Sequence, residues 1–336
     1  MNDGELIIGV AGCGLTGGRV VSKVVAAGHR VAVYDPDPAT THLAVRRARR
    51  RSVALVDDPR HLAVCDLVVL CGPASHAALA AELVLTGVPV VSLSDDLDDV
   101  RELLALDTMA KERGATVVVG AGMAPGLSGL LARRLHAQLA VVDEVHVAIH
   151  GTAGPACARQ HHDALSSASL GWHDRQWITP QGGTGRDLVW FPEPIGAHDC
   201  YRAALADPVL LQRAFPSAGR ISARVSATRR DRLTAWLPML TPPHALGGLG
   251  AVRVEARGAG ADGGRQTFIA GAAGPAAELA AAVATAIALQ TVLGEPPAGA
   301  HGTADLALDP LDLLHHATLH GVHVQEFTGV ARATHW

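Results

Sequence analysis

A short apolar run near the N-terminus, Leu6–Val10, is followed within two residues by the glycine-rich segment Gly12-Cys13-Gly14-Leu15-Thr16-Gly17. The spacing G-x-G-x-x-G between a strand and a helix is typical of a dinucleotide-binding turn. In such a turn Gly12 permits the sharp reversal, Gly14 lets the backbone approach a pyrophosphate, and Gly17 lets the helix pack closely on the strand. The pyrophosphate lies at the helix N-terminus, where amide groups are unpaired. We therefore predict that all six residues bind a dinucleotide.

A second apolar strand, Arg30–Tyr34, follows the predicted helix and ends at Asp35. An acidic side chain at this distance from the glycine turn accepts hydrogen bonds from both ribose hydroxyls of an adenosine and repels a 2′-phosphate. NAD is therefore the expected cofactor. The basic run from Arg46 to Arg51 lies within reach of a 2′-phosphate, so NADP stays open.

Apolar strands alternate with helical patterns through the first 140 residues. This alternation predicts an α/β fold with an N-terminal Rossmann domain, residues 1–140, built on a doubly wound parallel sheet. Ligands bind at the carboxyl ends of strands in such sheets, so Gly72, Pro73, Ser94 and Met123 are predicted to border the cofactor. The predicted strands are Leu6–Val10, Arg30–Tyr34, Ser52–Val56, Asp66–Cys71, Pro89–Leu93 and Ala115–Val119.

From Val141 the pattern changes to apolar residues that alternate with polar ones, as in a strand with one wet face. Residues 141–274 are predicted to form a second α+β domain, for substrate binding and dimerisation, on a mostly antiparallel sheet. Helices in the segment from about 275 to 336 are expected to pack back on the first domain. The predicted strands are Val141–His150, Asp187–Phe191, Arg220–Ala227, Ala251–Arg257 and Gln266–Ala272, and the predicted helices are Pro275–Leu293 and Leu311–Leu319.

Composition limits the partners. The chain has 336 residues, a net charge of −4 and 18% charged residues, with no sustained basic surface, so no nucleic-acid partner is expected.

The five cysteines form no C-x-x-C pair, which indicates buried thiols in a reducing compartment. The N-terminus has no basic signal-peptide region, and the apolar segment 276–293 is mostly alanine, so no membrane partner is expected. We expect a cytoplasmic homodimer.

These motifs together resemble the saccharopine dehydrogenase-like oxidoreductases, over nearly the whole chain and most strongly in the first 140 residues. The resemblance implies hydride transfer between a nicotinamide and a small-molecule imine or secondary amine that derives from an amino acid or amine. The residues that carry it are Asp35 after the glycine turn, Gly72-Pro73, Met123-Ala124-Pro125-Gly126-Leu127-Ser128, Trp190-Phe191-Pro192-Glu193-Pro194 and the C-terminal segment around Gly321-Val322.

One departure keeps other functions open. Family members that act on amino-acid adducts often have D-P-G where this chain has Ala124 before Pro125-Gly126. The same fold also serves 2-hydroxy acid, 2-amino acid and alcohol dehydrogenases, and a chain that has lost turnover serves as a nucleotide-binding sensor.

The segment Cys157 to Asp163 offers the candidate catalytic residues. Histidine suits proton transfer because its pKa lies near neutrality, so His161 and His162 are candidates, with Asp163 to orient one imidazole and Arg159 to bind a substrate carboxylate. The competing interpretation of this segment is a helix surface with capping interactions. We expect the reactive centre between the domains, bounded by residues 123–128, 159–163 and 190–191.

A metal site is not predicted. His316 and His320 have the i,i+4 spacing of two ligands on one helix face, but no H-E-x-x-H motif or Cys/His framework accompanies them. An interface or a solvated helix face is the favoured interpretation of these histidines.

Overall fold

The computed structural model describes residues 4–47, 52–240 and 242–327. No side chain between residues 43 and 51 is described, so the basic run from Arg46 to Arg51, which leaves NADP open as the cofactor, lies outside the described side chains.

The first sheet has seven parallel strands in the order β15-β6-β5-β4-β1-β2-β3. All six predicted strands are present, and each end lies within one residue of the prediction. Both faces of the sheet are covered, and β1 and β4 are therefore apolar almost throughout. This confirms the predicted doubly wound parallel sheet. The strands are β1 (Ile7–Ala11), β2 (Arg30–Tyr34), β3 (Val53–Leu55), β4 (Leu67–Leu70), β5 (Val90–Ser92), β6 (Thr116–Val119) and β15 (Gly299–Gly302).

Helices connect these strands and cover the sheet. The C-terminal helix α10 packs against α1, where Glu278 forms ion pairs with Arg19 at 2.7 Å and Lys23 at 3.1 Å. The helices are α1 (Leu15–Ala26), α2 (Pro38–Arg47), α3 (Ala77–Leu85), α4 (Leu97–Leu104), α5 (Asp107–Arg113), α6 (Leu127–His136), α10 (Ala276–Gly294) and α11 (Pro310–Leu319), with a 3₁₀ helix at Pro59–Val64.

The second sheet has nine strands and is antiparallel apart from the pair β7 and β12. This confirms the predicted, mostly antiparallel sheet. Its strands are β7 (Val141–His150), β8 (Gly171–His173), β9 (Gln176–Ile178), β10 (Asp187–Phe191), β11 (Gly196–Arg202), β12 (Arg220–Ser226), β13 (Leu249–Ala259), β14 (Arg265–Pro275) and β16 (Val324–Glu326). Three helices accompany it: α7 (Pro155–Ser166), α8 (Asp207–Ala214) and α9 (Arg229–Thr234).

One buried apolar cluster joins the two sheets, with Val10 of β1, Leu131 of α6, Val254 of β13 and Ile287 of α10 among its members. Helix α10 is long and apolar enough to cross a membrane, but 78% of its most apolar window is buried inside the protein. It is therefore the core helix that its alanine content indicates.

Candidate functional site

A cleft of about 730 Å³ opens beyond the carboxyl ends of the first-sheet strands. Its lining comes from the glycine turn after β1, from the ends of β2, β4 and β5, and from the segment 122–125 after β6. Residues at the end of β7 and in the first turns of α7 form the opposite wall. The cleft therefore lies between the two sheets, where we predicted the reactive centre.

The glycine turn has the geometry that a dinucleotide needs. Gly12 has a φ of +91°, and a Cβ on it would lie 2.3 Å from the amide nitrogen of Gly72. A Cβ on Gly17 would lie 1.8 Å from the carbonyl oxygen of Gly12, so helix and turn are in direct contact. In contrast, Gly14 faces open space, with no atom within 4 Å of an added Cβ. No side chain caps α1 and its first turn has no acidic residue, so its amides are available to an anion.

Asp35 lies at the edge of this cleft, directly after β2. Its Oδ2 accepts a hydrogen bond from the amide of Cys13 at 2.6 Å, and its Oδ1 accepts one from the amide of Asp37 at 2.9 Å. Both oxygens keep lone pairs for further donors. Burial, and then the charge of Asp35, raise the pKa of the Cys13 thiol to about 12, so Cys13 is a buried neutral side chain that only its backbone links to the site.

The loop after β4 is held by a buried histidine. The Nε2 of His76 lies 2.9 Å from the carbonyl oxygen of Gly72, and its Nδ1 lies 2.8 Å from the Oγ of Ser92. Burial lowers the pKa of His76, which keeps the ring neutral, so Nε2 donates to Gly72 and Nδ1 accepts from Ser92. Gly72 and Pro73 are thereby fixed along the cleft wall.

The opposite wall is the glycine-rich turn 151–154 and the start of α7. This segment lies directly on the glycine turn, because a Cβ on Gly154 would be 2.8 Å from the Cδ1 of Leu15. Helix α7 begins with Pro155 and has no acidic residue in its first turn. Two helix N-termini therefore belong to the lining of one cleft.

Three polar side chains meet at this cleft. The Oδ2 of Asp95, which follows β5, lies 3.6 Å from the Sγ of Cys157 and 3.6 Å from the Nε2 of His161. Cys157 Sγ and His161 Nε2 are 3.8 Å apart, one turn from each other on α7. Burial lowers the pKa of His161, but the neighbouring Cys157 and Asp95 outweigh it and hold the pKa well above its usual value. We call these three residues the cleft triad.

The other residues predicted from the α7 motif lie apart from the cleft triad. His162 is buried and faces away, with its Nε2 2.9 Å from the carbonyl oxygen of Leu237. Arg159 lines the cleft but is exposed. Asp163 is exposed, and its carboxylate contacts neither His161 nor His162, so Asp95 takes the position beside an imidazole that we expected Asp163 to have.

The predicted cofactor residues lie together. Seven of the predicted positions besides Gly12 and Gly14 are in or beside the glycine turn and the strand ends that line the cleft: Leu15, Thr16, Asp35, Gly72, Pro73, Ser94 and Met123. Cys13 and Gly17 are buried behind the turn. Trp190 and Phe191, expected at the reactive centre, are not part of the described cleft lining: Trp190 is exposed on β10, and Phe191 is buried in a separate apolar cluster.

A second cavity, of about 750 Å³, lies on the other side of α7. It shares Gly151, Thr152 and His161 with the cleft, and its remaining lining includes His162 and Arg229. His161 therefore stands between two cavities, one along the nucleotide fingerprint and one along the second sheet.

The comparisons with known proteins show the fold. No protein-family profile and no curated protein sequence matches the chain. Apo saccharopine dehydrogenase (L-Glu forming) from Saccharomyces cerevisiae superposes with a TM-score of 0.69 at 15% identity, covering 96% of this chain and 99% of that one. A meso-DAPDH mutant from Clostridium tetani follows, with a TM-score of 0.49 at 15% identity, covering 91% and 96% of the two chains. The resemblance to saccharopine dehydrogenases is thus confirmed as a resemblance of fold.

Sequence reasoning missed two carboxylates near His161. Asp95 was part of a loop predicted to border the cofactor, but only folding brings it to α7, 62 residues further along the chain. Asp207, at the start of α8, is fully buried and accepts a hydrogen bond from the Oγ of Ser128 at 2.5 Å. Burial raises the pKa of Asp207 to about 6, with Ser128 and the charge of His161 opposing the shift and the charge of Asp95 adding to it.

This shift makes stability depend on pH. The folded pKa of Asp207, about 6, exceeds its ordinary value of 3.8, so the carboxyl's favourable contribution is complete below about pH 4 and is lost as the pH rises through 6. Two pKa units correspond to about 3 kcal/mol. Asp207→Asn keeps an acceptor for Ser128 and does not titrate. From pH 4 to pH 8, its free energy of unfolding is therefore expected to rise by about 3 kcal/mol relative to that of the native chain. Urea unfolding at both pH values checks this, and equal pH dependence of the two proteins would contradict it.

Proposed function

We propose that this chain is an NAD(P)-dependent oxidoreductase that transfers hydride between a nicotinamide and a C–N bond, in an imine or secondary amine derived from an amino acid or amine. One observation carries the proposal. A single cleft has the glycine turn and Asp35 in one part of its wall and the cleft triad in another. An elongated dinucleotide bound along that wall places its reactive end among titratable side chains.

The residues present fit this cofactor. The open space at Gly14 and the uncapped N-terminus of α1 suit a pyrophosphate, and the oriented carboxylate of Asp35 suits the hydroxyls of an adenosine ribose. Gly72, Pro73, Ser94 and Met123 follow the ends of further strands and line the same cleft as the cleft triad. A bound nicotinamide supplies or accepts the hydride, and the protein supplies orientation and a proton.

We assign to the cleft triad the stabilisation of the charge that develops on the substrate. The heteroatom of an imine or carbonyl gains electron density as its carbon is reduced, and a positioned polar group must stabilise that charge and deliver a proton. His161, with Asp95 and Cys157 beside it, is the part of the described cleft that meets this need. Of the two adjacent histidines we therefore assign the role to His161, since His162 is bonded to Leu237 outside the cleft.

The C–N substrate rests on the fold shared with the yeast enzyme and on Arg159. This arginine lies at the exposed part of the cleft lining, where its guanidinium can bind a substrate carboxylate with two hydrogen bonds. Asp163 has no direct part in this arrangement. The second cavity beyond His161 gives space for the remainder of an elongated substrate.

A substrate panel tests the proposal. The absorbance of NADH is followed with keto acids and aldehydes, each with and without amino acids or amines. Consumption that requires both a carbonyl compound and an amine supports imine reduction. Consumption with a carbonyl compound alone supports a hydroxy-acid or alcohol dehydrogenase, and NADH binding without consumption supports a nucleotide sensor.

Asp35→Ala tests the cofactor preference. Removing the carboxylate is expected to weaken NADH binding by about 1–3 kcal/mol, because two charge-assisted hydrogen bonds to the ribose are lost. Binding of NADPH is expected to change less. Fluorescence titration with both reduced cofactors measures the effect, and Asp57→Ala, which removes a surface carboxylate that is 93% exposed, is the control. Tighter binding of NADPH than of NADH by the native chain would reverse the preference.

The cytoplasmic location and the homodimer stay predictions. The expectations of a small-molecule substrate, with no nucleic acid and no membrane as partner, belong to this proposal as well.

A further inference from the structure

The contact between His161 and Asp95 in the cleft triad is too long for an ordinary hydrogen bond. An N–H···O bond joins atoms about 2.7–3.2 Å apart, whereas His161 Nε2 and Asp95 Oδ2 are 3.6 Å apart. The other ring nitrogen, Nδ1, is buried and has no hydrogen-bond partner among the described residues. His161 is 8% exposed, so its buried imidazole has one nitrogen without a partner among the described residues, and Nε2 is bonded only to the sulfur of Cys157, at 3.8 Å.

The same distances suit three ligands of one ion. Ligands on a tetrahedral zinc ion with bond lengths of about 2.0–2.3 Å lie about 3.3–3.6 Å from one another. In the cleft triad the three separations are 3.6, 3.6 and 3.8 Å. The donors also match the chemistry of zinc, which takes thiolate sulfur, imidazole nitrogen and carboxylate oxygen.

Charge favours a cation here. Arg159 is the only lysine or arginine in the described cleft lining, and it is exposed. The carboxylate of Asp95 lies 3.6 Å from the Nε2 of His161 and supplies one of the negative charges that a cation needs. A divalent ion that displaces the protons of the imidazole and the thiol, and binds one carboxylate, one thiolate and one imidazole, forms a complex of zero net charge, which a half-buried site tolerates.

We propose that Asp95, Cys157 and His161 bind a zinc ion whose fourth position opens into the cleft. Three protein ligands with one open position are the pattern of catalytic zinc sites. The open position takes a water molecule or the heteroatom of the substrate. With the ion bound, His161 Nε2 is a ligand, so the ion and its bound water would stabilise the charge on the substrate and supply the proton in place of the free imidazole. Use of the ion in hydride transfer rests on the proposed function, but binding of the ion does not. We predicted no metal site from the sequence, because two of the ligands are on α7 and the third, Asp95, follows β5 and is 62 residues from Cys157.

Cobalt substitution tests the site without turnover. The full chain, purified without a polyhistidine tag, is stripped with a chelator and titrated with Co²⁺. We expect one equivalent to bind and to give a thiolate-to-cobalt charge-transfer band. Cys157→Ser is expected to abolish the band, and Asp95→Asn and His161→Ala to weaken binding more than about 100-fold, since even outer groups of metal sites contribute 10–100-fold. Cys71→Ser, a thiol in the same cleft lining, is the matched control and keeps the band.

Two results would overturn the zinc site: a native chain without the charge-transfer band, or Co²⁺ affinity that the three substitutions leave unchanged. Cys157→Ser and Asp95→Asn are isosteric substitutions and are not expected to disturb the fold. Titration of each protein with NADH shows whether it is folded. A chain that binds NADH but no Co²⁺ contradicts the zinc site alone. A chain that binds Co²⁺ but no NADH contradicts the proposed oxidoreductase alone.

Discussion

Replacing Gly17 by alanine is expected to lower the free energy of unfolding by about 3 kcal/mol or more and to eliminate NADH binding. The added Cβ would lie 1.8 Å from the carbonyl oxygen and 2.9 Å from the carbonyl carbon of Gly12, and 3.1 Å from the Cβ of Cys71. Two of these atoms are backbone and cannot turn aside, so α1 must move away from the turn. Overpacking of this kind costs about 1–3 kcal/mol, and more against backbone.

Gly14→Ala is the matched control. Gly14 has a φ of −61° and open space around an added Cβ, so the unfolding free energy is expected to stay within about 0.5 kcal/mol. The methyl group occupies the space that a pyrophosphate needs, and NADH affinity is expected to fall by at least about tenfold, or 1.4 kcal/mol. Urea unfolding and NADH titration of both variants measure the two effects. Unchanged NADH affinity in Gly14→Ala would contradict the proposed phosphate position.

His161→Ala is expected to lower kcat by about 10²–10⁴-fold, the usual contribution of a positioned group that exchanges a proton or stabilises developing charge. NADH affinity is expected to stay near the native value, because His161 is on α7 and belongs neither to the glycine turn nor to the end of β2 that bears Asp35. Steady-state kinetics on the substrate that the panel identifies, with NADH titration beside it, separate the two effects.

The neighbouring positions sharpen this test. His162→Ala removes an imidazole bonded to the carbonyl oxygen of Leu237, and a change in kcat below about tenfold is expected. Arg159→Ala is expected to raise KM and to leave NADH affinity unchanged, because it removes uniform substrate binding. A larger loss of kcat in His162→Ala than in His161→Ala would reverse the assignment.

Local signals in the sequence predicted the part of the cleft that we propose binds the nucleotide. These signals are close in sequence, and each indicates one feature of a parallel sheet that binds a dinucleotide. They are the apolar runs of β1 and β2, the glycine spacing and Asp35. The strand β15 was not predicted, because Gly-Ala-His-Gly has no β-branched residue and little intrinsic preference for a strand. It forms because it pairs with β6, a contact that only the folded chain provides.

The cleft triad could not be predicted from the sequence, because only folding brings its three residues together. The i,i+4 spacing of Cys157 and His161 is visible in the sequence, but their third partner is not, since Asp95 belongs to another domain as predicted from the sequence. The sequence indicated Asp163 instead because it is adjacent to the histidines. On a helix, however, adjacent residues point in different directions, and Asp163 faces solvent.

The transfer of a labelled hydride tests the central proposal most directly. The chain is incubated with NADH in which both hydrogens at C4 of the nicotinamide are replaced by deuterium, together with the carbonyl compound and amine that support consumption. We expect one deuterium in the secondary amine product, on the carbon bonded to nitrogen, as measured by mass spectrometry. A secondary amine product without deuterium, formed while the NADH is consumed, would show that no hydride passes from the nicotinamide to the C–N carbon and would contradict the proposed function.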